Sequence, residues 1–75
     1  MFNINIFAER VKELRKQNYL KQDDVGKAIN LTIATISRIE SGDRSVSMDT
    51  LIALADYFNV SLDYLVGRSE VKERR

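Results

Sequence analysis

The stretch KQDDVGKAINLTIATISRIESG, residues 21–42, decides the fold of this chain. Apolar side chains recur at helical spacing on both sides of a central asparagine, Asn30. They are Val25 and Ile29 before the asparagine, and Ile36 and Ile39 after it. Asparagine tolerates the left-handed backbone conformation that ends a helix. The stretch therefore predicts two short helices with a tight turn between them.

Polar and small residues mark the ends of these two helices. The first is expected over about 21–29. Thr32 suits the N-cap of the second helix, and Gly42 stands where a helix ending near residue 41 places a glycine. Two short helices joined by residues 29–32 are typical of a helix-turn-helix motif.

Three further helices are predicted around this pair. A first helix is expected over roughly 5–18, with Asn5 and Asn3 as rival N-caps. Ser47 suits the N-cap of a fourth helix, and Ser61 suits that of a short fifth helix. Because the chain has no proline and few alternating patterns, the expected fold class is all-α, a compact five-helix bundle. Residues 1–67 are expected to form one domain and 68–75 a charged, frayed tail.

The chain contains neither cysteine nor histidine. Disulfides and thiolate metal sites are therefore excluded, and the most common general base is missing. No set of carboxylates, lysines or hydroxyls is spaced for catalysis, so we expect no enzyme, no metal and no cofactor. No apolar run is long enough to span a bilayer, and the first residues lack the features of a signal peptide. The expected protein is cytoplasmic, with no membrane partner and no small-molecule ligand.

Charge is divided unevenly along the chain. Residues 1–47 carry eight basic and six acidic side chains, which gives +2. Residues 48–66 carry three aspartates and no lysine or arginine, and residues 67–75 return to +2. This pattern favours contact between a polyanion and the first half of the fold, although ordinary solvated faces would give the same pattern.

From about Ile6 to Gly67 the chain resembles the Cro and phage-repressor type of helix-turn-helix domain, the XRE family. The resemblance rests on five segments in the family's order. They read FAERVKELR (7–15), LKQDDV (20–25), TISRIESG (35–42), LIALADYF (51–58) and VSLDYLVG (60–67). It implies a lambda-repressor-like DNA-binding domain and a transcriptional repressor. In the family, such a protein acts as a homodimer on a pseudo-palindromic duplex operator.

The predicted third helix has a face suited to the major groove. With Ile36 and Ile39 buried, the opposite side is small to medium in bulk, carries no acid and has one forked cation, Arg38. The resemblance places the candidate base readers here, and they are Ile33, Ala34, Ser37 and Arg38. Arg38 suits guanine, with a phosphate contact as the alternative. Ile33 and Ala34 suit thymine methyl groups, with plain helix surface or a protein contact as the alternative.

Other residues are candidates for phosphate contacts. Gln22 matches a family glutamine that contacts a DNA phosphate. The remaining candidates are Lys27, Thr32, Thr35, Ser41 and Arg44. In the alternative interpretation each is an ordinary surface residue. Contacts of this kind supply affinity without sequence information.

Two further assignments follow from the resemblance. An arginine of the first helix pairs in the family with a glutamate ending the third, so Arg15 and Glu40 are expected to form a structural ion pair. The candidate dimer contacts are Tyr57, Val60, Leu62, Tyr64 and Val66, unless these residues complete the core of the monomer.

Four positions depart from the family pattern. Lys21 stands where a serine or threonine cap is usual, and Gly26 replaces a common alanine, at up to about 1 kcal/mol of helix propensity. Asn30 replaces a turn glycine, and Val46 stands where proline is frequent. These departures predict a helix-turn-helix of lower than average stability. The alternative function is a protein-interaction module or antitoxin that reuses the fold.

Overall fold

A computed structural model of the chain describes residues 3–43 and 46–73. It contains five α-helices in the predicted order, and no strand occurs in this part of the chain. The helices are α1 (Ile4–Gln17), α2 (Gln22–Ala28), α3 (Ile33–Ser41), α4 (Met48–Phe58) and α5 (Leu62–Leu65). The predicted all-α fold, with a helix-turn-helix formed by α2 and α3, is confirmed.

Side-chain oxygens cap four of the five helices at their N-termini. Thr32, Ser47 and Ser61 each accept a hydrogen bond from the backbone N–H three residues later, as their sequence positions predict. For α1 the structure selects Asn3 over Asn5. The Asn3 Oδ1 accepts from the backbone N–H groups of Asn5 and Ile6 at 3.0 and 3.1 Å.

The N-terminus of α2 is organised differently. Lys21 occupies the N-cap position without a side-chain cap hydrogen bond. Instead, the carboxylate of Asp24 accepts from the backbone N–H of Lys21 at 2.8 Å. This is the reciprocal half of a capping box, and its negative charge also lies in the first turn, where the helix dipole favours it. Asp24 thus compensates in part for the missing serine or threonine.

Residues in the left-handed conformation end several of the helices. Gly42 (φ 74°) follows α3, and Asn30 (φ 61°) lies in the turn after α2, as both positions predict. Asn59 ends α4 in the same way, with φ 55°. Tyr19, just after α1, also has a positive φ of 56°, although its side chain is 95% exposed. A tyrosine in this conformation carries backbone strain that a glycine would not.

All five helices contribute to one apolar core. Its fully buried large side chains are Phe7, Val11, Val25, Ile36, Ile39, Leu54 and Leu65. Helix α1 packs against α3 and α5, α2 packs against α3, and α4 packs against α5. The helix-turn-helix is therefore supported from behind by α1, which leaves the other side of α3 uncovered.

The core also includes two residues that were candidates for a dimer interface. Val60 is 4% exposed and Tyr64 is 7% exposed, and both belong to the central cluster. For these two residues the structure favours the alternative, completion of the monomer core, because both side chains are already buried within a single chain. Leu62 and Val66 pack against the core with part of their surface exposed, and Tyr57 is the most exposed candidate.

The turn between α2 and α3 passes very close to Gly26. The backbone N–H of Leu31 donates to the carbonyl oxygen of Gly26 at 2.7 Å. A Cβ added at Gly26 would lie 2.6 Å from the carbonyl oxygen of Leu31, well inside van der Waals contact. Glycine at this position is thus required by the close approach of the turn. The glycine therefore has a steric role in the turn in addition to its cost in helix propensity.

A clamp centred on Arg10 holds the C-terminal segment, residues 68–73, against the fold. The Nη1 of Arg10 donates to the carbonyl oxygens of Tyr64 and Ser69, the latter at 2.7 Å. The guanidinium carbon lies 4.1 Å from the centroid of the Tyr64 ring, in cation–π contact. Arg10 therefore joins α1 to α5 and to the segment beyond it.

The C-terminal segment makes further hydrogen bonds to the start of α5 and the end of α1. The backbone N–H of Ser61 donates to the carbonyl oxygen of Lys72 at 2.8 Å, and its hydroxyl donates to that of Val71 at 3.1 Å. The Nζ of Lys72 donates to the side chain of Gln17 at 3.3 Å. The sequence predicted fraying from Arg68 onward. In the structure the segment is instead hydrogen-bonded to the fold through Lys72.

Candidate nucleic-acid interface

Helix α3 presents one buried side and one exposed side. Ile36 and Ile39 are fully buried, and Thr32 begins the helix while Gly42 ends it. The four candidate base readers lie together on the exposed side. They are Ile33, Ala34, Ser37 and Arg38. Ile33 is 52% exposed, so about half of its surface is available for contact.

The exposed side of α3 contains no carboxylate. The one acidic residue of the helix is Glu40, whose side chain is only 4% exposed. A surface made of small, apolar and cationic groups can approach a polyanion without like-charge repulsion. The arrangement anticipated for the third helix is therefore present in the geometry of α3.

Glu40 and Arg15 form a forked ion pair between α3 and α1. The Nε of Arg15 lies 2.6 Å from one carboxylate oxygen of Glu40, and the Nη2 lies 2.9 Å from the other. The two side chains are 14% and 4% exposed. Hydrogen bonding to Glu40 raises the pKa of Arg15 above its ordinary value, while burial acts in the opposite direction. The pair fixes the end of α3 on the body of the domain.

Arg15 and Glu40 also reach the loop and helix that precede α3. The Nη1 of Arg15 donates to the carbonyl oxygen of Leu20 at 3.0 Å. The Nε2 of Gln22 donates to Glu40 at 3.2 Å. Gln22 is thus bonded to the ion pair as well as lying at the start of α2. The sequence pattern gave no indication of this bond, since it joins residues 18 positions apart.

The other candidate phosphate contacts lie around α2 and α3 with varied local partners. Lys27 forms an exposed pair with Asp23 one turn away, at 3.2 Å. The hydroxyl groups of Thr32 and Thr35 are 2.9 Å apart, and that of Ser41 donates to the carbonyl oxygen of Arg38. Each hydroxyl is therefore held in place locally. Arg44 lies outside the described residues.

Three features typical of other kinds of site are absent from the described residues. No group of three or more acidic side chains within residues 3–43 and 46–73 could hold a metal ion. Across the same residues, no buried side-chain nitrogen or oxygen lacks a hydrogen-bond partner. None of the described helices is long and apolar enough to cross a membrane.

A model of the helix-turn-helix family matches residues 11–65. The chain belongs to the helix-turn-helix family. This confirms the resemblance to Cro and phage repressors that the sequence segments indicated.

Several helix-turn-helix proteins are similar to the chain in sequence. The control protein C.SmaI of Serratia marcescens is 33% identical over 70 residues, which cover 93% of this chain and 83% of that protein. The transcriptional regulator ImmR of Bacillus subtilis is 33% identical over 66 residues, 88% of this chain. The alignments span only 52% of ImmR and 59% of a second Bacillus subtilis regulator, YqaE.

Solved helix-turn-helix structures share the fold. The P22 c2 repressor, crystallised in complex with a synthetic operator, superposes with a TM-score of 0.80 at 26% identity. That match covers 85% of this chain and 97% of the other. The restriction-modification controller C.AhdI of Aeromonas hydrophila superposes with a TM-score of 0.76 at 26% identity, over 83% of this chain and 94% of the other. The fold is that of a repressor DNA-binding domain.

Proposed function

We propose that this protein is a sequence-specific, double-stranded DNA-binding transcriptional regulator that acts as a repressor. In this proposal α3 docks in the major groove of the operator. The observation that carries it is the exposed side of α3, which is free of carboxylates and is held on a rigid support. The operator complex of the P22 c2 repressor, which has the same fold, supports the proposal.

Base reading is assigned to four residues on this side, namely Ile33, Ala34, Ser37 and Arg38. Arg38 is exposed and can donate two parallel hydrogen bonds to the O6 and N7 of guanine. Ile33 can pack against the methyl group of thymine, because about half of its surface is uncovered. Polar and apolar contacts on one helix together distinguish base pairs that neither would distinguish alone.

Contacts with phosphates are assigned to residues at the margins of α2 and α3. They are Gln22, Lys27, Thr32, Thr35, Ser41 and Arg44. Lys27 supplies a mobile charge, since its pair with Asp23 is largely solvated. Such contacts hold the register of the protein on the duplex and make affinity depend on salt.

A homodimer on a pseudo-palindromic operator completes the proposal. One recognition helix contacts few base pairs, and a twofold dimer doubles the site at a spacing of about one helical turn. With Val60 and Tyr64 buried, the remaining candidates for the interface are Tyr57, Leu62 and Val66. Tyr57 is 39% exposed and its ring meets that of Phe58 edge-on at 5.1 Å between centroids. A rigid aromatic of this kind suits an interface.

Selection of binding sites from random duplexes at two salt concentrations tests the proposed function. We expect an enriched sequence with inverted repeats, and lower affinity for all duplexes at the higher salt. Sedimentation with and without the enriched duplex tests the stoichiometry. A protein that enriches no sequence and does not retard duplex DNA at low salt would contradict the proposal.

The alternative is a protein-interaction module or antitoxin in which α3 contacts another protein. The exposed Ile33 favours it, because an uncovered isoleucine next to Ala34 also suits a protein surface. Replacement of Arg38 by alanine distinguishes the two functions. If the protein is a DNA-binding regulator, the change should abolish selective DNA binding. If it is a protein-interaction module, a partner bound through Ile33 should stay bound.

A further inference from the structure

The carboxylate of Glu40 accepts three hydrogen bonds from two side chains. Arg15 supplies two of them through Nε and Nη2, and Gln22 supplies the third through Nε2. The Gln22 amide shares the oxygen that the Nη2 of Arg15 also reaches. The ion pair therefore extends from α1 and α3 to the first residue of α2.

The chemistry of this contact fixes which end of the Gln22 amide faces Glu40. An ionised carboxylate accepts hydrogen bonds and donates none, so only the NH₂ group of the amide can be turned toward it. One hydrogen of this NH₂ points at Glu40, and the other stays on the same nitrogen, available to a second acceptor. Gln22 is only partly exposed, which restricts the rotamers open to its side chain.

We infer that Glu40 is a positioning residue for DNA binding that acts through Gln22. By holding the amide nitrogen, Glu40 keeps the second N–H of Gln22 directed outward as a donor for a DNA phosphate oxygen. This inference rests on the proposed function. Arg15 neutralises Glu40, so the carboxylate orients the amide without repelling the phosphate.

A double-mutant cycle on duplex affinity tests this role. The variants are Glu40→Gln, Gln22→Ala and the double variant, each measured on one operator and one unrelated duplex. A glutamine at position 40 can meet Gln22 with either its oxygen or its NH₂, so the orientation of the Gln22 amide is no longer fixed. We expect Glu40→Gln to weaken binding about threefold more when Gln22 is present than when alanine replaces it.

The cycle separates positioning from support of the fold. The charge that Glu40→Gln removes is the same in both backgrounds and cancels. Because Gln22 is neutral, the coupling energy between positions 40 and 22 should be equal on both duplexes. It should also be the same at low and at high salt. Coupling confined to the operator, or no coupling, would overturn the inference. As a matched control, Arg15→Lys should show no coupling to Gln22→Ala, since Glu40 still holds the amide.

Two further measurements cover the other outcomes. If Glu40→Gln does not fold, Glu40→Asp replaces it in the same cycle, because it keeps the charge but withdraws the carboxylate from Gln22. In the free protein, NMR relaxation of the Gln22 side-chain NH₂ should show a rigid group that becomes mobile in the position-40 variant. A mobile NH₂ in the unaltered protein would overturn this inference but would leave the proposed function standing. Failure of the unaltered protein to bind any duplex overturns the proposed function too.

Discussion

The carbonyl oxygen of Leu31 lies 2.6 Å from the point where a Cβ of residue 26 would stand. Helix propensity alone would make Gly26→Ala stabilising by up to about 1 kcal/mol. The clash must displace the backbone of the turn, so we expect the opposite sign, a loss of about 1–3 kcal/mol. Urea unfolding followed by circular dichroism measures it. Ser37→Ala, at an exposed position of α3, is the control and should be neutral or slightly stabilising. A stabilised Gly26→Ala protein would contradict the geometry of the turn.

Tyr19 is a position where glycine should stabilise the protein. Its φ is 56° and its side chain is 95% exposed, so it carries left-handed strain and loses little packing when removed. Tyr19→Gly should therefore raise the free energy of unfolding by about 1 kcal/mol. Tyr19→Ala keeps a Cβ and hence the strain, and it should change stability by less than about 0.5 kcal/mol. Equal effects of the two substitutions would show that relief of strain is not the cause.

Removing one partner of the Arg15–Glu40 ion pair should destabilise the helix-turn-helix. Arg15→Met leaves the carboxylate of Glu40 buried with a single neutral donor, and we expect a loss of about 3 kcal/mol. Because the pKa of Arg15 is raised in the folded protein, its contribution to the free energy of unfolding is fully present at every pH below the ordinary pKa of arginine. The loss caused by Arg15→Met should therefore persist unchanged from neutral pH to pH about 10. Thermal unfolding at several pH values checks this, with Lys16→Met, on the exposed side of α1, as the control.

The Arg10 clamp should protect backbone amides near α5 from exchange. Arg10→Met removes the hydrogen bonds to Tyr64 and Ser69 and the cation–π contact. We expect faster hydrogen exchange at the amide of Ser61, which donates to Lys72, while the amide of Ile36 in α3 is unaffected. Lys12→Met, an exposed position of the same helix, serves as the control. Unchanged exchange at Ser61 would show that the segment is held without Arg10.

Ile33 should read thymine through its methyl group. Replacing thymine by uracil at each position of a selected operator should weaken binding of the unaltered protein at one position per half-site, by about 1 kcal/mol. Ile33→Ala should remove that difference, because the side chain no longer reaches the methyl group. Ser37→Ala, on the same helix side, should leave the thymine-to-uracil effect in place. A thymine preference that survives Ile33→Ala would assign the methyl contact elsewhere.

Local sequence signals were sufficient for most of the fold. Serine and threonine caps, apolar spacing and Gly42 act within one or two turns, so they indicate where helices begin and end without any knowledge of tertiary contacts. The choice between Asn3 and Asn5 was open because both asparagines suit an N-cap, and only the observed backbone separates them. The reciprocal cap from Asp24 was missed because the usual first partner, a serine or threonine at position 21, is absent.

Long-range polar contacts were the part that the sequence did not predict. The Arg10 side chain meets carbonyl oxygens 54 and 59 residues away, and Gln22 meets Glu40 across 18 residues. Hydrophobic periodicity carries no information on such pairs. The sequence also leaves open whether Val60 and Tyr64 lie in the core or at an interface, because apolar spacing around a helix as short as α5 does not separate the two. The Arg15–Glu40 pair was anticipated only through the family resemblance.

The forked pair between Arg15 and Glu40 has a consequence for how a duplex would be chosen. Helix α3 is held at its end by the ion pair to α1 and along its length by buried isoleucines, so we expect it to keep its orientation in the proposed complex. When α3 docks as proposed, conformational change would then come mainly from the DNA duplex. On the proposed pseudo-palindromic operator, flexible pyrimidine–purine steps between the half-sites would favour binding even where no side chain touches them.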